Sequence, residues 1–172
     1  MGSFPQLLQN KKRRIRLEMI KKEKEMITEN IIGSENYLIE AADLNEKKKT
    51  MDIILIPKED SMYCPVCERK TSYRKSRRNR VVRDLPIGEY IEVRLHYQTI
   101  YYQCTVCRKL YKKELDLVES NQFATKRFKM FIGKMSNIIP PKQVSEEYNL
   151  DDNTVYRYED YFLKKNASAG KI

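Results

Sequence analysis

Tryptophan is absent from this chain of 172 residues, glycine occurs five times and histidine once, at His96. With so little glycine there is no Gly-rich phosphate loop, and no Ser/His/Asp set or paired-carboxylate site stands out, so the sequence is not expected to encode an enzyme. No apolar run approaches the ~20 residues that a membrane-crossing helix needs. The start, Met1-Gly2-Ser3-Phe4-Pro5-Gln6, lacks the apolar core of a signal peptide, and Gln6 stands where a myristoylation motif has Ser or Thr. These absences lead to the expectation of a cytoplasmic protein with no membrane partner. In a reducing compartment its four cysteines read as metal ligands or redox groups rather than disulfides.

What the chain does have is positive charge, unevenly placed. The formal net charge is +10. Lys and Arg exceed Asp and Glu by five over residues 1–27 and by eight over residues 64–114, while residues 28–63 are net acidic. A focused positive field favours polyphosphate partners through counterion release. A hydrophobic fraction of 41% against 34% charged residues allows a core, though not a large one. Twelve Tyr fit half-buried strands, where the ring packs and the hydroxyl stays wet.

The pattern along the chain divides it into four parts. Residues 1–29 form a basic N-terminal arm with a helix over Lys11–Thr28, either a solvated charged helix or an arm that touches phosphates. Residues 30–119 hold strands at Tyr37–Ala42 and Met51–Pro57, joined by Asp43–Lys49 as a hairpin, then a strand at Asn79–Asp84. Ile91–Gln103 alternates most clearly, with Ile91, Val93, Leu95, Tyr97, Thr99 and Tyr101 on one face. Glu92, Arg94, His96, Gln98, Ile100 and Tyr102 share the other, where His96 reads as an ordinary surface histidine rather than a further metal ligand. Residues 120–165 turn helical, and 166–172 read as a frayed tail.

All four cysteines fall into two units of equal spacing, Cys64-Pro65-Val66-Cys67 and Cys104-Thr105-Val106-Cys107. Two intervening residues let one tight turn present both sulfurs to a single ion, and two such turns complete a closed tetrahedral site. A thioredoxin-like redox pair would need a βαβ context, and an iron–sulfur centre could use the same ligands. One structural Zn2+, redox-silent and suited to tetrahedral sulfur, is the expected cofactor. Between the pairs lie two strands and a basic loop with seven cations from Arg69 to Arg80. Four thiolates on zinc leave a charge of −2, which two cations balance. The surplus, at Arg74, Lys75, Arg77, Arg78 and Arg80, points to phosphate contact.

Near the C-terminus, Phe128, Phe131, Ile132 and Met135 mark a first helix, ended by Ile138-Ile139-Pro140-Pro141. Helices over Lys142–Tyr148 and Asn153–Lys165 follow with helix-turn-helix rhythm, sharing a core of Val144, Tyr148, Leu150, Val155 and Tyr158. Asp151 or Asp152 caps the second of these. Asn153, Thr154, Tyr156 and Arg157 are expected to project from its start toward base edges. Lys126, Arg127, Lys129 and Lys134 of the preceding helix are the expected phosphate contacts. Three-helix bundles without DNA affinity share this spacing.

Together these pieces resemble the N-terminal part of the ISL-three family of insertion-sequence transposases. The resemblance rests on Cys64-Pro65-Val66-Cys67, on Val82-Arg83-Asp84-Leu85-Pro86-Ile87-Gly88, on the strand Ile91–Tyr101, and on Cys104-Thr105-Val106-Cys107 with Leu110–Glu114. It departs from the family at Glu68, where Gly is usual after the first knuckle, with Arg108 in the equivalent place after the second. These residues show no counterpart of the family's RNase H-like catalytic domain, so strand cleavage is not expected of them. The resemblance implies an α+β fold: an antiparallel β zinc ribbon with an N-terminal helix and hairpin, then a C-terminal helix-turn-helix bundle. It implies recognition of duplex DNA at inverted repeats without strand cleavage, with a homodimer or a full-length transposase as the protein partner. A repurposed transcriptional regulator, or an inhibitor of the full transposase, is the alternative.

Overall fold

A computed structural model describes residues 31–120 and 122–168. The helix expected over Lys11–Thr28 lies outside them. Strands β1 (Tyr37–Asn45) and β2 (Thr50–Pro57) form the expected hairpin, paired from Tyr37↔Pro57 to Asn45↔Thr50. It is tighter than the sequence suggests, because Lys49 takes a φ of 51° and Asn45 Oδ1 accepts from Lys48 N at 3.0 Å, closing the turn early.

Beyond β2 come β3 (Met62–Tyr63) and β4 (Lys70–Thr71), which pair with each other around the first cysteine turn. Long strands β5 (Arg74–Asp84) and β6 (Glu92–Gln103) run antiparallel from Asp84↔Val93 to Arg74↔Tyr102. Strand β7 (Leu110–Lys113) returns beside the end of β6. The main sheet has the order β1-β2-β6-β5, with β7 also on β6.

Two sequence expectations change here. The sheet is mixed rather than antiparallel, since β2 pairs with β6 in parallel from Thr50↔Glu92 to Ile54↔His96. The chain passes through the first cysteine turn and all of β5 before β6 comes back beside β2 in the same direction. The segment read as a basic loop is the first half of β5. It lacks apolar residues to reveal alternation, but pairing with β6 holds it extended.

Val93, Leu95 and Tyr97 of β6 pack with Val82 of β5 and with Ile53 and Leu55 of β2. Ile32, Leu115 and Val118 cover that face, and Ser34 Oγ donates to Asp116 Oδ1 at 2.7 Å to pin the covering segments together. Alternation of burial along β6 reverses at Thr99 and Ile100, both buried. Ile100 and Tyr102, assigned by sequence to the polar face, are covered because that face meets the cysteine end, where the Tyr102 ring stacks on Tyr111 at 6.1 Å.

Helices α1 (Lys126–Ser136), α2 (Pro141–Glu147) and α3 (Asp152–Ser168) complete the α+β architecture. Thr125 caps α1 by accepting from Phe128 N, Pro141 opens α2, and Asp151 caps α3 by accepting from Thr154 N at 2.9 Å. Phe128, Ile132, Val144, Tyr148 and Val155 form their buried core, with Leu150 and Tyr158 packed against it, as the apolar spacing indicated. At Gly133, a Cβ would lie 2.3 Å from the Tyr158 carbonyl oxygen, so the absent side chain sets how closely α1 and α3 approach. Helix α3 continues through residues expected to fray. Asn166 Nδ2 and Ser168 Oγ donate to the carbonyls of Phe162 and Lys164 and satisfy its last turns. Among the described residues no helix is long and apolar enough to cross a membrane.

Candidate metal centre and its basic edge

Each cysteine pair sits at the tip of a short hairpin, Cys64 and Cys67 between β3 and β4, Cys104 and Cys107 between β6 and β7. The two turns repeat one hydrogen-bond pattern. Cys64 N donates to Arg69 O and Glu68 N to Cys64 O, both at 2.9 Å; Cys104 N donates to Lys109 O at 3.0 Å and Arg108 N to Cys104 O at 3.1 Å. To close these turns, Glu68 and Arg108 adopt φ of 56° and 61°, the left-handed region that favours glycine. Glu68→Gly and Arg108→Gly are therefore expected to stabilise the zinc-loaded protein by about 1 kcal/mol each, net of glycine's larger unfolded-state entropy. Urea unfolding checks this, and a loss of stability in both variants would mean that the side chains do something the turn does not require.

The two turns face each other. Cys64 Sγ lies 3.5 Å from Cys107 Sγ and Cys67 Sγ lies 3.4 Å from Cys104 Sγ, with all four sulfurs within 4.8 Å of one another. A tetrahedron with zinc–sulfur bonds of about 2.3 Å has edges of about 3.8 Å. The sulfurs therefore surround a volume that fits one such ion, and they are too far apart for disulfide bonds of about 2.05 Å. Cys64 and Cys104 are buried while Cys67 and Cys107 are half-buried. Backbone N–H groups of Cys107 and Val106 hold the Cys104 thiol down, to about 6, while Cys107, despite the Lys109 N–H, is pushed up to about 11 by burial and the neighbouring thiols; a metal would displace the protons that sulfurs this close retain. Four sulfurs fill the sphere and leave no position for substrate, which is the geometry of a structural ion.

Residues 60–107 match the family described as zinc-finger of transposase IS204/IS1001/IS1096/IS1165. That match takes in both cysteine turns and β3 to β6, with the helices outside it. No curated protein and no solved structure matches the chain. The transposase zinc finger and the four-sulfur cluster together support a structural zinc ion held by Cys64, Cys67, Cys104 and Cys107. His96 takes no part. Eight residues back along β6 from Cys104, its Nε2 meets Asp52 Oδ1 at 2.5 Å.

Arg74, Lys75, Arg77, Arg78 and Arg80 lie along β5, whose outer edge from Arg74 to Val81 has no strand partner among the described residues. Lys75, Arg77 and Arg78 are exposed there, with the Arg78 guanidinium over the Tyr101 ring at 5.3 Å. Arg74 is held by Asp60 at 2.5 Å, and Arg80 is half-buried, its Nη2 donating to Gln122 O at 3.3 Å. Charge on an open edge also deters strand-to-strand aggregation, a purely structural use of the same residues.

The helical candidates separate. Asn153, Tyr156 and Arg157 are exposed at the start of α3, and Lys126 and Lys134 are exposed on α1. Three others are engaged inside the fold. The Lys129 side chain is 4% exposed, paired with Glu119 at 2.5 Å, with its ammonium 4.0 Å from the Tyr161 ring centroid. Thr154 is buried, its hydroxyl donating to Asp151 Oδ2 and accepting from Arg157 Nη2, each at 2.5 Å. Arg127 is drawn to the fully buried Asp84. Their helical positions gave no sign of this, because each partner comes from a different part of the fold or from the cap itself. Sequence reasoning also missed Phe123, 74% exposed with Arg80 over its ring at 5.6 Å; it belongs to no periodic pattern.

Proposed function

We propose that the described residues bind duplex DNA at the ends of a mobile element, as a zinc-stapled recognition module rather than a nuclease. The observation that carries this reading is the open edge of β5. Lys75, Arg77 and Arg78 stand on a strand fixed along its length by β6, and the far end of that pair runs into the zinc ligand Cys104. With their backbone already held by β6, these cations meet phosphates without the further cost of ordering a loop. Helices α2 and α3 serve as the second contact, a helix-turn-helix whose turn passes through Asn149 at φ 50° and whose α3 presents Asn153, Tyr156 and Arg157. The choice of element-end DNA as target rests on the transposase zinc finger.

Four contacts, from Lys75, Arg77, Arg78 and Arg157, imply that log affinity falls against log salt with a slope of about −3.6. Titration of the zinc-loaded chain with element-end and scrambled duplexes at several salt concentrations measures it. Arg77→Ala should make the slope shallower by about 0.9 on both duplexes, whereas Asn153→Ala should narrow the difference between them. A flat salt response would remove β5 from the interface.

A further inference from the structure

The Phe123 ring stands in water although its backbone is firmly held. Arg83 N donates to Phe123 O at 2.8 Å and Thr125 N to Arg83 O at 2.9 Å, so residues 123–125 lie along the end of β5 as a short parallel extension. A side chain of this size, left 74% exposed on a fixed backbone, forgoes about 2 kcal/mol of burial. Beside it opens a cleft of about 470 Å3 between the sheet and the helices, lined by Arg83, Phe123, Asn149, Arg157, Tyr158 and Tyr161 among others. That volume lies within the range of small-ligand sites, about 300–1,000 Å3.

The walls of the cleft indicate what would fit. Its two carboxylates are already engaged, Glu119 by Lys129 and Tyr161, and Asp151 by Thr154. Of its cations, Lys129 is held by that pairing, Arg83 donates to Tyr148 O at 2.7 Å and lies over the Phe128 ring, and Arg157 donates to the Thr154 hydroxyl and to Asn153 O. Arg83 Nε is buried with no hydrogen-bond partner among the described residues. A flat, uncharged ligand with acceptor atoms on its edge suits such a lining better than a phosphate does.

We infer that Phe123 and this cleft receive one unpaired nucleobase of the bound DNA, stacked on the ring and turned out of the duplex. This deepens the DNA-binding reading and rests on it. It makes the favoured target a duplex with an unpaired base between the segment held by β5 and the segment held by α3. Stacking on an aromatic side chain tolerates any base, because every base has a π-face. A duplex that is already unpaired at one position avoids the cost of extrusion and should bind more tightly.

The test uses the zinc-loaded full chain and two duplexes of one sequence, one fully paired and one carrying a single unpaired 2-aminopurine. The bulged duplex should bind about tenfold more tightly, with the 2-aminopurine fluorescence quenched on binding. Phe123→Ala should abolish both the preference and the quenching while paired-duplex affinity, its salt slope and the zinc content stay unchanged; Phe123→Tyr should retain both. Equal affinity for the two duplexes, or a preference that survives Phe123→Ala, overturns the inference and leaves the DNA-binding reading standing. Failure to bind either duplex overturns both.

Discussion

Chelation is expected to release one zinc ion per chain and to unfold the cysteine end of the molecule while the helices stay folded. The division follows from where the apolar contacts lie. Neither core cluster contains a residue from 58–80 or from 98–113. Strands β3 and β4 are two residues each, too short to hold without a neighbour. Ile100 and Tyr102 are buried at that end, but there β6 pairs with β7, and the Tyr102 ring stacks on Tyr111 of that strand. Structural zinc sites supply about 10–16 kcal/mol of apparent binding energy coupled to folding. A whole domain is stable by only about 5–15 kcal/mol, so nothing else at this end can substitute for the metal.

Hydrogen exchange before and after chelation gives the decisive reading. Amides of Met62–Arg80 and Ile100–Lys113 should lose protection, those of Val93–Tyr97 should keep most of theirs, and those of Phe128–Val155 should change least. Cys104→Ser should reproduce this pattern at any zinc concentration, since three sulfurs leave the tetrahedron open. The first half of β5 loses its frame in both cases, so the proposed DNA affinity should fall with it. Uniform protection after chelation would mean that the β5–β6 pairing stands without the ion, and the metal would then have some role other than support.

The parts of the molecule that could be read from sequence are those whose cause is local. Two residues between paired cysteines fix a turn, and the structure places the four sulfurs together. Val93, Leu95 and Tyr97 alternate because one face of β6 is buried, and Asp151 lies where a helix start requires an acceptor. What could not be read depends on partners distant in sequence. The parallel register of β2 on β6 has no local signal at either strand. Arg74–Arg80 is extended because β6 pairs with it, so a stretch with loop-like composition became a strand. Lys129 resembles its exposed neighbours on α1 until Glu119 and Tyr161 are brought over it. Sequence therefore located the chemistry of the metal centre, while the set of cations left facing solvent depended on tertiary packing.

The same distinction governs Asp84, which has no accessible surface and joins the sheet to the helices. Its Oδ1 accepts from Thr125 Oγ1 at 2.7 Å and from Arg127 Nε at 2.8 Å, and its Oδ2 pairs with Arg127 Nη2. Thr125 in turn caps α1, and Arg127 also donates to Ile31 O at 3.0 Å, so one carboxylate ties β5, the first turn of α1 and the start of the described chain. Removing one partner of a buried pair typically costs about 3–5 kcal/mol. Arg127 is 31% exposed and can recover some hydration, which places Asp84→Ala near the lower end, about 3 kcal/mol. Urea unfolding should show that loss with zinc still bound, because the cysteine turns do not touch this junction. A change below about 1 kcal/mol, the net worth of one ordinary hydrogen bond, would show that the carboxylate holds nothing together. Arg127→Ala then distinguishes support from DNA contact. As a support residue it lowers stability and weakens DNA binding without altering the salt slope, whereas a phosphate contact would make the slope shallower by about 0.9.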